Sequence, residues 1–393
     1  MMEKLVTSNL KLGIVAGGQL GKMLIQEASK WDIISYVLDS EENCPAGNIA
    51  SHFIRGSHLD YEAVYNFGKM VDVLTFEIES INVEALKQLK AEGTRVIPDP
   101  ETLEMIQDKG LQKDFYQANH LPTAAYEKHA SKNALLAKID NGDIGFPFVQ
   151  KLRKGGYDGR GVAVIRTAND AGKLLDGPCI TEQLIDIDKE IAIIAARNAK
   201  GELKCYPAVE MIFDPQANLV DKLMCPSTIS SHQAEAAKDI AKTLMEELRF
   251  EGLLAVEYFV DTDGRIFLNE IAPRPHNSGH HTIEGIITSQ FEQHLRAILN
   301  LPLGSTMLKL PAVMINILGE EWYEGPVKYE GLTESMTIEG VKIHLYGKKM
   351  TRPFRKMGHA TILSHTLQDA ISKADKVKSL IKVKAWNNHT SAS

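Results

Sequence analysis

Asn269, Glu270, Arg274, His276, Asn277, His280 and His281 crowd one short segment, residues 267–282, reading FLNEIAPRPHNSGHHT. Phe267, Leu268 and Ile271 give the same segment the pattern of a buried strand. Buried polar groups cost about 1–3 kcal/mol each unless they are paired. The density therefore predicts a site in which a metal ion and a polyanionic ligand supply the pairing. The competing reading is a strand ending in a polar loop ordered by Pro273 and Pro275, which forbid helix.

Just upstream, residues 253–260 (LLAVEYFV) form a second apolar run, joined to 265–271 by Asp261-Thr262-Asp263-Gly264, a good hairpin turn. With a loop of two or four residues, Leu268 lies opposite Glu257, and Glu270 is its diagonal neighbour on the same face, about 7–8 Å away at the backbone. Two carboxylates at that reach can share magnesium, a hard cation usually held together with substrate phosphates. A three-residue loop would put the pair on opposite faces. The plain alternative is an edge hairpin with solvated glutamates, against which stand the flanking Ala255, Val256, Tyr258 and Phe259.

A further cationic element lies at 153–161, RKGGYDGRG, where glycines alternate with Arg153, Lys154 and Arg160. Such a flap can wrap phosphates with backbone N–H groups and charge. It lacks the Walker A spacing. A strand over 146–151 delivers Lys151 to its start, and a short strand over 179–184 leads toward Glu190. An edge of that strand can read an adenine, and Glu190 can accept from ribose hydroxyls.

These groups need several elements to hold them. At 393 residues the chain exceeds what one core fills, so two or three domains are expected. The N-terminal part reads as a βαβ unit: strand 11–16, a Gly17-Gly18 turn, helix 19–31 and strand 33–38 ending at Asp39. The first position of a dinucleotide-type G-x-G-x-x-G is here Ala16, but the helix N-terminus still suits an anion. Another strand, 71–76, ends in Glu77 and Glu79, where open α/β sheets bind ligands; helix N-terminal charge is the alternative for either residue. Over 100–125 a helical pattern makes Leu103, Ile106, Leu111, Phe115 and Tyr116 the apolar face, with Lys109 and Lys113 facing elsewhere. Beyond residue 310 short strands at 312–318, 341–345 and 360–363 mark a small β-rich domain with Arg352, Arg355 and Lys356 clustered.

A composition of 44% hydrophobic and 24% charged residues is that of a globular chain. A net charge of -7 without a long basic run argues against nucleic acid. Cys44, Cys179, Cys205 and Cys225 are too scattered for a disulfide framework or zinc ribbon. The absence of a signal-like or bilayer-length apolar run makes the cytoplasm, with no membrane partner, the expected location. The tail 387–393 is expected to fray.

In order, a strand-borne lysine, a glycine-rich cationic loop, an E-x-x-x strand and two carboxylates on adjacent strands ending in Asn-Glu resemble the ATP-grasp superfamily. AGGQLGKM, TFEIES, KLRKGGYDGRG, NEIAPRPHNSGHHT and KMGHATIL resemble, more closely, its 5-(carboxyamino)imidazole ribonucleotide synthase family, over about residues 12–363. The resemblance implies a mixed α/β and α+β architecture: a Rossmann-like pre-ATP-grasp domain (1–105), an ATP-grasp domain of two subdomains (106–308) and a small β-rich C-terminal domain (309–393). It implies ATP-dependent carboxylation of aminoimidazole ribonucleotide by bicarbonate, with ADP and phosphate released. It further implies magnesium, with manganese possible, a homodimer, and a separate mutase for the next step.

Carried over position by position, the resemblance puts Lys109 and Lys151 on ATP phosphates, beneath a flap of Gly155, Gly156, Tyr157, Asp158, Gly159, Arg160 and Gly161. Glu182, Gln183, Leu184 and Ile185 would hold adenine, Glu190 the ribose, Glu257 and Glu270 the metal, and Asn269 would lie beside the phosphates. Gln19, Leu20 and Glu77 would line the ribonucleotide pocket, approached by Tyr157, Asp158 and Arg160, with Lys348 and Arg355 on the ribonucleotide phosphate. Arg274, His276 and Asn277 are assigned to bicarbonate and carboxyphosphate, the arginine by its bidentate fork and the histidine as a proton holder or hydrogen-bond partner. His280 and His281 can be structural. Departures from the family pattern are lysine for arginine at 109, Gln183 for a common lysine, Ala16 for glycine, and Lys349 as a rival to Lys348. Three other readings remain: a nicotinamide oxidoreductase, a nucleotide-sensing protein without turnover, and an ATP-grasp ligase formylating glycinamide ribonucleotide. The missing glycine weighs against the first and the flap and carboxylates against the second; the flap and the Pro275–Ser278 string favour the carboxylating enzyme over the third.

Overall fold

The computed structural model describes residues 7–156, 161–214 and 219–386. The N-terminal unit contains β1 Lys11–Val15, α1 Gln19–Ser29, β2 Ile34–Asp39, β3 His52–Arg55, α2 Tyr61–Gly68, β4 Val73–Phe76, α3 Val83–Ala91 and β5 Arg95–Val96. Its sheet runs β3-β2-β1-β4-β5, with every pair parallel. Helices cover both faces, as buried parallel strands require. On one face α2 and α3 contribute Val64, Phe67, Leu86 and Leu89 to the core. On the other, Leu20, Met23 and Leu24 of α1 meet Phe291 and Leu295, which come from far along the chain. The carboxyl ends of these strands carry Ala16, Asp39 and Glu77.

Helices α4 Pro100–Ile106 and α5 Lys109–Ala118 lead into β6 Tyr126–His129, α6 Lys132–Asp140, β7 Phe148–Leu152, β8 Val162–Ile165 and β9 Cys179–Gln183. These four strands form a small antiparallel sheet in the order β6-β9-β7-β8. The strand predicted to offer an edge to adenine, β9, is therefore interior to its sheet, and the segment that follows it, from Leu184, leaves the ladder. Helix α5 departs from its apolar pattern in part: Tyr116 is buried as expected, but Leu111 is exposed while Gln112 and Lys113 are buried.

Next come β10 Ile187–Arg197, β11 Leu203–Cys205, β12 Val209–Asp214, β13 Leu219–Cys225, α7 Ser231–Glu247, β14 Gly252–Asp261, β15 Ile266–Ala272, α8 Thr282–Gly285 and α9 Gln290–Ile298. The last part adds β16 Ala312–Leu318, β17 Gly325–Glu330, α10 Leu332–Met336, β18 Val341–Leu345, β19 Met350–Thr351, β20 Lys356–Leu363, α11 Leu367–Leu380 and β21 Lys382–Ala385. The C-terminal strands divide: β19-β17-β21 form a three-stranded sheet of their own, whereas β16, β20 and β18 extend the central sheet. Among the described residues the order β15-β14-β10-β12-β13-β16-β20-β18 is one continuous ladder, with β11 on β10. Helix α7 packs Ala237, Ala241 and Leu244 against Ile191, Ile193, Leu254 and Val256 of the central strands. Helix α11 covers Val313, Ile315 and Ile317 of β16 with Ala370, Ala374 and Val377. Helix α9 docks the N-terminal unit, and its His294 Nε2 meets Thr75 Oγ1 of β4 at 2.9 Å. This docking brings the carboxyl ends of the parallel sheet over β14 and β15.

Candidate functional site

The β14–β15 hairpin has the three-residue loop that was expected to separate the two carboxylates. Asp261 pairs with Arg265 across residues 262–264, and its carboxylate accepts from the backbone N–H of Asp263 (3.0 Å) and Arg265 (2.8 Å). The register then runs Val260↔Ile266, Phe259↔Phe267 and Tyr258↔Leu268, shifts at Asn269, and continues Glu257↔Glu270. A bulge inserts one residue and returns the strand to the other phase. Glu257 and Glu270 thus become direct cross-strand partners rather than diagonal neighbours. The inserted residue also makes a contact of its own, since Asn269 Oδ1 accepts from Lys151 Nζ at 2.9 Å.

Around this pair the cations are already matched. Lys109 Nζ lies 2.5 Å from Glu270 Oε2. Lys151 Nζ lies 3.0 Å from Glu182 Oε2, and Lys113 Nζ 3.2 Å from Glu182 Oε1. Lys109, then Lys151 and His276, hold the Glu270 carboxyl well below the usual range against its burial. Glu257 is driven the other way, by burial and then by Glu270 and Glu190 facing it. Burial also raises Glu190 to about 7. The buried Lys113 of α5 has a partner. Its Nζ, 2.5 Å from Thr123 Oγ1 as well, is stabilised inside by Glu182, while desolvation lowers it to about 8. Magnesium fits Glu257 and Glu270, since two opposed carboxylates leave the remaining positions to phosphate oxygens and water.

The predicted flap cation Arg153 is spent within the protein. Its guanidinium pairs with Asp108 through Nε (2.8 Å) and Nη2 (2.6 Å), fixing the N-cap of α5 and so the position of Lys109. Gly155 and Gly161 both adopt φ of 78°, the left-handed region natural to glycine. Tyr157, Asp158, Gly159 and Arg160 lie outside the described residues, as does the tail 387–393.

After β15 the chain turns through Arg274 and His276. Arg274 Nη2 meets Glu79 Oε1 at 2.7 Å and Oε2 at 3.0 Å, and its buried Nε has no hydrogen-bond partner. The Nδ2 of Asn277 is likewise buried without one. Two buried, unspent donors three residues apart suit an anion. His276 Nδ1 accepts from Ser278 N–H at 3.3 Å, which leaves the proton on Nε2, 3.6 Å from Glu257 Oε1. His280 and His281 are buried, and desolvation holds both imidazoles below their usual range. His280 stacks on Phe291 and packs against His359, consistent with a structural role.

At the carboxyl end of the parallel sheet, the anion expected at the N-terminus of α1 is supplied by the protein. Glu77 accepts from Gly18 N–H and, at 2.6 Å, from Gly21 N–H, while burial raises its carboxyl pKa. A Cβ on Gly18 would overlap that carboxylate. Asp39, a candidate ribose partner in the dinucleotide reading, accepts from Gly17 N–H at 2.7 Å instead. Gln19 and Leu20 open α1 beside these contacts. Lys348 Nζ donates to Lys356 O at 2.8 Å, and burial followed by Arg355 lowers it to about 8, while Glu77 acts to raise it. Arg355 Nη1 reaches Met350 O at 2.8 Å on the exposed side. The structure thus brings Lys109, Lys151, Glu182, Glu190, Glu257, Asn269 and Glu270 into one cleft, with Arg274, His276 and Asn277 between it and the Glu77–Lys348 region.

Sequence reasoning passed over Lys113, Glu79 as the partner of Arg274, Lys22 and Gln290. Lys22 Nζ reaches Leu345 O at 2.9 Å, tying α1 to the Lys348 loop. Gln290 grips the His276 peptide at both N–H (2.9 Å) and carbonyl (2.8 Å). The one available signal was a lysine at the i+4 position of Lys109.

Three family models match the chain: a ribonucleotide synthetase preATP-grasp domain over residues 10–107, an ATP-grasp domain over 114–291, and a phosphoribosylaminoimidazole carboxylase C-terminal domain over 312–373. The N5-carboxyaminoimidazole ribonucleotide synthase of Bacillus subtilis is 35% identical, covering 92% of this chain and 94% of its own. A chloroplastic phosphoribosylaminoimidazole carboxylase of Vigna aconitifolia is 38% identical, but this chain spans 64% of its length. Among solved structures, the N5-carboxyaminoimidazole ribonucleotide synthetase of Thermotoga maritima superposes with a TM-score of 0.88 at 44% identity, covering 96% of this chain and 99% of that one. An Aspergillus clavatus synthase bound to ADP and 5-aminoimidazole ribonucleotide gives 0.86 at 31% identity, with 95% and 99% covered.

Proposed function

The chain belongs to the N5-carboxyaminoimidazole ribonucleotide synthases, ATP-grasp ligases of purine biosynthesis, and from that premise we propose that it carboxylates 5-aminoimidazole ribonucleotide with bicarbonate at the expense of ATP, through carboxyphosphate. Bicarbonate is a poor electrophile until one oxygen becomes a leaving group. One of its oxygens attacks the γ-phosphorus of ATP, and ADP departs. The exocyclic amine of the ribonucleotide then attacks the carboxyl carbon, the C–O bond to phosphorus breaks, and phosphate leaves with its electrons while the amine gives up a proton.

Phosphoryl transfer needs positioning and charge neutralisation more than covalent help. Lys109, Lys151 and Asn269 are assigned to the phosphates, Glu182 to Ile185 to adenine and Glu190 to ribose. Glu257 and Glu270 would hold magnesium, which would supply Lewis-acid stabilisation at the phosphoryl group. Arg274 and Asn277 orient the anion with their unspent donors, and His276 holds a proton beside Glu257. Gln19, Leu20 and Glu77 line the ribonucleotide pocket, and Lys348 and Arg355 take its phosphate.

The observation that carries this reading is the placement of Arg274, with its free Nε, between the Glu257–Glu270 pair and Glu77. A homodimer, a cytoplasmic location and a separate mutase acting on the product complete the proposal. Among the described residues no helix is long and apolar enough to cross a membrane. The test is ADP release with magnesium, ATP and bicarbonate, with and without aminoimidazole ribonucleotide. Stimulation by the ribonucleotide supports the proposal; stimulation by glycinamide ribonucleotide with formate alone would replace the substrate, and silence with both would remove the activity.

A further inference from the structure

Arg274 stands where three acids compete for it. Glu77 of the ribonucleotide side and Glu257 of the metal side are both close enough for its charge to lower their carboxyl pKa values. Neither takes its guanidinium. Glu79 does, with both carboxylate oxygens on Nη2. Nη1 donates to Pro275 O at 3.1 Å, so the side chain is fixed on two sides while the buried Nε–H stays unspent.

Glu79 is itself anchored. Its carbonyl accepts from Gln107 Nε2 at 2.7 Å and from Ile81 N–H at 2.9 Å. Gln107 also reaches Ile81 O at 3.1 Å, and it is the C-cap of α4, two residues before Lys109. A single bracket therefore runs from the end of β4, through Glu79, to the guanidinium. With an uncharged residue at 79, Arg274 would fall toward Glu77 or Glu257, both of which the reaction needs.

We propose that Glu79 is a positioning residue that aims Arg274 at the bicarbonate-derived anion and keeps it off Glu77 and Glu257. This rests on the assignment of Arg274 to that anion. A misplacement of about 1 Å at a reacting group can cost on the order of 100-fold, so the expected loss is large for a residue that touches no reactant.

The experiment compares wild type, Glu79→Gln, Glu79→Asp, Arg274→Ala and the double variant Glu79→Gln/Arg274→Ala. It measures kcat, the KM for bicarbonate and for ATP, and the moles of ADP released per mole of ribonucleotide carboxylated. Glu79→Gln is expected to lower kcat about 10- to 100-fold, raise the KM for bicarbonate, leave that for ATP unchanged and release more than one ADP per product. Glu79→Asp should recover part of the coupling. The double variant should be no worse than Arg274→Ala alone, because the two residues act as one unit. An Arg274→Ala defect with Glu79→Gln at wild-type coupling overturns the bracket and leaves the assignment of Arg274 standing. Additive losses, or an equal rise in the ATP KM, also overturn it, since they describe a general structural defect. An Arg274→Ala variant at wild-type activity would instead remove the assignment of Arg274 and the bracket with it.

Discussion

In the proposed nucleotide cleft Lys109 lies 2.5 Å from Glu270, and Lys113 and Lys151 share Glu182. At the proposed ribonucleotide end Lys348 donates to a neutral carbonyl and faces Arg352, Arg355 and Lys356. The first region would meet its ligand with charges already paired, so the proposed ATP and metal would have to exchange partners with residues that hold one another in place. The second would meet its ligand with positive charge accumulated, and Lys348 has a pKa lowered to about 8, first by its burial and then by Arg355. Glu77 adds to the contrast, since its two oxygens are spent on the N-terminus of α1. Paired charge gives a rigid cleft that binds by exchange; accumulated charge gives a pocket whose affinity follows ionisation directly.

The sharpest way to break this comparison is Glu270→Gln. It removes one metal ligand and unpairs Lys109 at once, so ribonucleotide-stimulated ADP release should fall by about 100- to 1,000-fold, the scale of losing one preorganised electrostatic contact. A loss below tenfold in a steady-state assay would mean that the opposed carboxylates are not the metal site.

Next is Lys113→Met. Lys113 and Glu182 have side chains 3% and 4% exposed, and breaking such a buried pair typically costs about 3–5 kcal/mol. Denaturant unfolding should show a loss of roughly 3 kcal/mol. The KM for ATP should rise several-fold, because Lys151 would then answer Glu182 alone. Unchanged stability would mean that the cleft's pairing is not structural.

Lys348→Ala tests the other region. Losing a charge-assisted hydrogen bond of about 1.5–3 kcal/mol should raise the KM for aminoimidazole ribonucleotide roughly 10- to 100-fold, with the KM for ATP unmoved. The pH dependence has a definite sign. Lys348 is cationic below about 8 and neutral above it, so in wild type the ribonucleotide KM should climb as pH passes 8. Lys348→Ala should flatten that limb, and Lys348→Arg, which stays charged, should hold the KM low to higher pH. A flat wild-type profile between pH 7 and 9 would place the phosphate elsewhere.

What could be read from the sequence divides along similar lines. The residue types at 257, 269, 270 and 274 declared a site because polar groups in apolar strands need partners. The glycines of the flap declared a turn. The register of the hairpin was not legible, because a three-residue loop and a bulge at Asn269 each reverse the phase, and period-2 patterning records neither. The burial of Lys113 in α5 was hidden because Lys113 reads as a surface residue until Glu182, 69 positions later in the sequence, is folded against it. The partner of Arg274 lies 195 residues earlier, at Glu79. No local rule reaches that far.

The smallest predicted effect concerns a departure that was visible in the sequence as Ala16 in place of a glycine. In the structure Ala16 adopts φ 71°, so the alanine performs the turn that glycine would perform without strain. That turn carries the chain from β1 into the contacts of Gly17 with Asp39 and of Gly18 with Glu77. A left-handed non-glycine residue costs about 1–2 kcal/mol, and glycine gives back roughly 0.5–1 kcal/mol through the freer unfolded chain. Ala16→Gly should therefore stabilise the protein by roughly 0–1.5 kcal/mol. The urea midpoint should move up with an unchanged slope, and the ribonucleotide KM should stay put. A fall in the midpoint would mean that the buried Ala16 methyl contributes more by packing than the left-handed turn costs. The N-terminal turn would then belong with the tightly paired cleft rather than with the pocket that waits for its ligand.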